Sequence, residues 1–197
     1  MADFVEYMNQ LIQGFLHNLP FFLGFISIFW LVLIVNKLFF KGRLDILGIY
    51  PRHPLGLVGI IFSPFLHADF GHLFVNTMML LVLGFFILSA GIKMFCVVTG
   101  IIILLSGLLV WLLGRPALHI GASGLVMGYW GYVLVNAYNQ PSLLTIVIAA
   151  VCLYYFSGMF VNLFPTEKHV SWEGHVFGFI AGIATVYIAP LILPWFH

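Results

Sequence analysis

The sequence predicts an all-α, polytopic membrane bundle with six transmembrane helices, and three features carry that expectation. Of 197 residues, 63% are hydrophobic and only 7% are charged, against about 25% charged in an average soluble domain. Several stretches approach or exceed the roughly 20 apolar residues that cross a bilayer. Short turns separate some of these stretches, and neither an internal repeat nor a separate soluble domain interrupts the series. A chain this apolar could not hide its side chains from water in one soluble core.

Residues 1–20 carry Phe4, Met8, Leu11, Ile12, Phe15 and Leu16 near helical spacing and read as an interfacial amphipathic helix. This stretch holds Asp3 and Glu6 but no Lys or Arg, so it does not read as a secretory signal. The membrane domain is expected over residues 21–197. Its segments run from about Phe21 to Phe40, Phe70 to Ala90, Met94 to Leu113, Ala122 to Tyr138, Leu143 to Leu163 and Trp172 to Leu193. Gly91-Ile92-Lys93 and Asn139-Gln140-Pro141 are tight connections. Lys41–Asp69 is longer and includes Leu55–Phe65, which is too short to span and too apolar for a water-exposed loop. A position in or on the bilayer edge is expected for it. Leu163–Ser171 is a polar strip with Pro165, Glu167, Lys168 and His169, suited to a movable cover.

A net charge of +1 without a basic tract gives no sign of a nucleic-acid partner. Cys96 and Cys152 both fall inside hydrophobic runs and are expected to pack as small apolar residues. All basic residues except Lys93 lie on or beside the links after segments one, three and five. The positive-inside tendency would put those links in the cytoplasm.

Polar groups inside a bilayer are costly and usually have a partner or a task. Three clusters qualify. In His67–Asn76, His72 and Asn76 are four apart, so on a helix they share a face about 6 Å apart along the axis. An imidazole and a carboxamide so placed can donate hydrogen bonds to an oxyanion, or they can fasten neighbouring helices. His67 lies off that helix and reads as structural. In the second cluster, Gly121-Ala122-Ser123-Gly124, a serine in a first helical turn is usually a cap. Here glycines allow close backbone approach, and free amides at the helix start can receive an anion. Gly124, Gly128 and Gly131 continue as a small-residue stripe, and Gly174, Gly178 and Gly182 form a second in the third cluster. If the stripes face each other, His175 arrives near Ser123 and can take its proton, as a serine nucleophile requires. Glu173 is two residues before His175, about 200° around a helix, and is not assigned to the site.

These clusters, in order on segments two, four and six, resemble the rhomboid family of intramembrane serine proteases. The motifs are His72-x-x-x-Asn76, Gly121-x-Ser123-Gly124 and His175-x-x-Gly178-x-x-x-Gly182. The resemblance covers essentially the whole chain. It implies Ser123 as nucleophile and His175 as general base and then acid. It implies an oxyanion hole of His72, Asn76 and the Ser123 backbone amide, transmembrane proteins in a lipid bilayer as substrates, no cofactor and no metal. It also implies a bacterial plasma-membrane location with the active site toward the outer face, opposite to the charge count. Three positions depart from the pattern. Met127 stands where many bacterial relatives carry tyrosine, Gly174 where alanine is common, and Pro51-Arg52 where a Trp-Arg pair is frequent. The alternatives are an inactive rhomboid-like protein that binds membrane clients, or a membrane haem protein using His72 and His175.

Overall fold

A computed structural model describes residues 2–139, 141, 143–156 and 172–195. Among these residues the protein is all-helical. Its α-helices are α1 (Ala2–Leu38), α2 (Pro54–Phe62), α3 (Phe70–Leu88), α4 (Ile92–Leu113), α5 (Ser123–Asn139), α6 (Leu143–Phe156) and α7 (Trp172–Ile192). Four stretches are long and apolar enough to cross a membrane: Met8–Leu38, Phe70–Leu88, Ile92–Leu113 and Trp172–Trp195. The other two expected spans are shorter. The α5 helix has 17 residues and the described part of α6 has 14. The Leu163–Ser171 strip and the expected end of segment five lie outside the described residues.

The first boundary differs from expectation. Residues 2–20 are helical, but they run straight into the first span, with Pro20 inside one continuous α1. Proline removes one backbone donor, and membrane helices accommodate that locally. The expected break between an interfacial helix and the first membrane segment is therefore absent.

The α5 helix is the hub. Leu125 through Val133 are buried without interruption, the mark of a helix surrounded on all faces. Its most extensive neighbour is α7, followed by α3. An aromatic column joins α1 to α5 through α4: Phe22 meets Phe95 edge-on at 5.5 Å, and Phe95 meets Tyr129 at 5.9 Å. Such edge contacts suit the ring quadrupoles. Polar groups in this core find partners, with the Thr99 and Tyr129 hydroxyls 2.6 Å apart and Trp30 Nε1 donating to Thr77 Oγ1 at 3.1 Å. Cys152 is buried and Cys96 exposed, and both are free thiols.

The long first link docks against the end of the bundle where α5 begins. The nine residues of α2 reach about 14 Å, too short to span. They start with Pro54 behind a His53 cap that accepts from the Leu55 amide at 3.3 Å. The Ile49 and His119 backbones exchange two hydrogen bonds, each of 2.9 Å. Arg52 Nη1 donates to the Leu112 and Gly114 carbonyls at 3.1 and 2.8 Å, closing the end of α4. The Arg52 amide donates to the Trp111 carbonyl, and Trp111 Nε1 donates back to the His53 carbonyl, both at 2.9 Å. Arg52 thus has a tryptophan beside it, supplied by α4 rather than by the link. These bonds tie the link to the turn that precedes Ser123.

Candidate active site

The α5 and α7 helices run parallel with their glycine stripes in contact. A Cβ on Gly124 would lie 3.2 Å from the Gly174 carbonyl oxygen, and one on Gly131 would lie 2.6 Å from that of Phe179. A Cβ on Gly178 would strike the Gly124 backbone, and one on Gly182 the Gly128 backbone. The first turn of α7 brackets Gly124 between Gly174 and Gly178, and His175 belongs to that turn. Both helices begin at the same end, so Ser123 and His175 occupy the same end of the seam. Ser123 is partly buried, whereas His175 is buried. Gly121 serves a different neighbour. Its φ of 116° suits glycine, and a Cβ there would lie 3.0 Å from His72 Cε1.

The third helix supplies the other face. Asp69 caps α3 by accepting from the His72 amide at 2.8 Å. His72 is thereby held in the first turn, with its ring against Gly121. One turn deeper, Asn76 is 3% exposed, and its Nδ2 has no hydrogen-bond partner among the described residues. A buried amide donor without an acceptor is expensive. It suits a group that arrives only with a ligand. Beside Ser123 lies a small cavity of about 40 Å³, bordered by Ser63, Ser106, His119 and Gly174.

Two further side chains hold this region, and reading the sequence alone assigned neither to the site. His67 is fully buried, and its Nε2 accepts the Ala122 N–H at 3.2 Å. Burial pushes its pKa down to about 4, with His72 adding to that effect and the Phe65 carbonyl and Asp69 partly offsetting it. The ring is therefore neutral near pH 7 and able to accept. Glu173, buried on α7, carries its carboxylate to Arg115 in the turn before α5, where Oε1 lies 3.3 Å from Nε. The same oxygen accepts from the Arg115 amide at 3.3 Å. The pair clamps the start of α7 to the approach of α5. No grouping of three His, Cys, Asp or Glu suited to a metal occurs among the described residues.

Apolar helices of spanning length and a polar cluster at the head of two seamed helices define a multi-pass membrane protein. The rhomboid domain family model matches residues 54–191, and the chain belongs to the rhomboid family. It is also 39% identical over 175 residues to proteins of Mycobacterium tuberculosis and Mycobacterium bovis, covering 84% of this chain and 72% of each relative. A Mycobacterium leprae protein is 35% identical over 175 residues, covering 84% of this chain and 69% of the relative. All three carry the description "uncharacterized protein".

Asn76 offers a first check on this site. Asn76→Ala is expected to leave the fold intact and to lower turnover of a cleavable membrane substrate by about 10²–10³-fold, the usual cost of one oxyanion donor. Turnover and thermal unfolding measured on the same detergent preparation would separate the two effects. Unchanged turnover would remove Asn76 from any oxyanion site.

Proposed function

We propose that this chain is an intramembrane serine endopeptidase that cuts transmembrane segments of other membrane proteins. The observation that carries the reading is the parallel glycine seam, with Ser123 and His175 at one end of it. His175 acts as general base on the Ser123 hydroxyl, whose oxygen attacks the scissile carbonyl. The resulting oxyanion takes hydrogen bonds from the Asn76 side chain, His72 and the Ser123 backbone amide. Collapse of the tetrahedral intermediate breaks the C–N bond, and His175 returns the proton to the leaving amine. Water, deprotonated by the same histidine, then releases the acyl group from Ser123. The unpartnered Asn76 donor and the position of His72 against Gly121 support the oxyanion site.

In this reading the chain crosses the membrane six times, through α1, α3, α4, α5, α6 and α7. The α5 helix reaches only about 25 Å, short of the roughly 30 Å hydrocarbon core. Its head, with Ser123, therefore lies below one membrane surface, where water and a substrate segment can both arrive. That surface is the outer face of a bacterial plasma membrane, with α2 lying at the bilayer edge beside it. No cofactor takes part. The test is a serine-reactive fluorophosphonate probe, together with a panel of single-span substrates in detergent and liposomes. Covalent labelling located at Ser123 and cleavage within a membrane segment are expected. A protein that neither labels nor cuts would overturn the proposal.

A further inference from the structure

We propose that His67 is a positioning residue for the Ser123 turn, holding it through the hydrogen bond from the Ala122 amide to Nε2; this rests on the proteolytic reading above. The head of a helix carries several amides without helical partners. Here the two that precede Ser123 are both occupied by the link between α2 and α3. Gly121 N–H donates to the Ser63 carbonyl at 2.9 Å, and Ala122 N–H donates to His67 Nε2 at 3.2 Å. The next amide is that of Ser123, which has no backbone partner among the described residues. The link thus occupies the flanking donors and leaves available the one that an oxyanion would use.

The surroundings make His67 a fixed acceptor. It has no solvent exposure, and Ala122 has none either, so water cannot replace the bond. The ring lies edge-on to Phe29 at 6.2 Å and to His72 at 5.3 Å between centroids. An accepting Nε2 requires the proton on Nδ1, so a single neutral tautomer does the work. His72, which packs on Gly121, touches the same ring. His67 therefore sets the position of the serine turn and of one oxyanion donor together. Loss of the bond leaves a buried N–H seeking a new partner one peptide away from the nucleophile. Displacement on the order of 1 Å there can cost about 10²-fold in rate.

Three variants separate positioning from packing. His67→Phe keeps a ring and removes the acceptor. His67→Gln puts a side-chain oxygen near the place of Nε2, whereas His67→Asn offers its oxygen near the place of Nδ1. Expected are kcat losses of about 10–100-fold for the Phe and Asn variants with KM unchanged, and recovery to within a few-fold of wild type for Gln. The rate of fluorophosphonate labelling at Ser123 should follow the same order. Hydrogen exchange of the 120–124 backbone should be faster in the Phe and Asn variants than in wild type or Gln. A Gln variant as impaired as Phe, or a Phe variant equal to wild type, would overturn the proposal. If wild-type protein neither labels nor cuts, the proteolytic reading fails, and the exchange series still decides whether His67 holds the turn.

Discussion

Exchanging His175 for asparagine is expected to slow cleavage by about 10²–10⁴-fold, the range supplied by one general acid–base group. Ser123→Ala should remove covalent labelling and cut turnover at least as deeply. The decisive result is the double variant. If the hydroxyl and the imidazole act as one unit, removing the second after the first costs almost nothing more, because each is useless alone. Independent roles, with His175 only packing α7 against α5, would instead make the two losses multiply. Circular dichroism and thermal unfolding of all three variants should match wild type, since asparagine at position 175 and alanine at position 123 leave the glycine contacts untouched. A single-turnover assay in liposomes reads the chemical step without product release.

Legibility of this chain from sequence follows the range of the interactions involved. The helices can be read because apolar length is a local property. The glycine seam can be read because a spacing of four residues on each helix marks a face without reference to the partner. The contact between Gly178 and the Gly124 backbone turns those two local patterns into one interface. Nothing local ties His67 to the site, because its partner is the backbone of Ala122, 55 positions away, and a backbone amide leaves no mark in composition. The Arg115–Glu173 pair is hidden for a related reason. The angular offset of Glu173 from His175 is a property of one helix, and it does not reveal which cation on another segment receives the carboxylate. Pro20 misleads in the other direction. Proline commonly ends helices in water, yet a helix in an apolar setting retains its remaining hydrogen bonds and continues through it.

Gly182→Val is expected to separate α7 from α5 and to inactivate the protein from a distance. Even a lone Cβ at this position would strike the Gly128 backbone, and backbone cannot rotate away as a flexible side chain can. Overpacking in a well-filled core commonly costs about 1–3 kcal/mol, and here two further methyl groups add to the intrusion. Relief requires the helices to part or to slide. Either movement shifts the first turn of α7, with His175, relative to the head of α5. Thermal unfolding in detergent should therefore fall, and fluorophosphonate labelling of Ser123 should drop even at temperatures where the variant remains folded. Gly100→Val is the matched control, because a Cβ there meets nothing within 4 Å. It should be tolerated in both measurements. Labelling that persists at the wild-type rate in Gly182→Val would show that the seam does not set the distance between serine and histidine, and the proposed dyad would lose its structural basis.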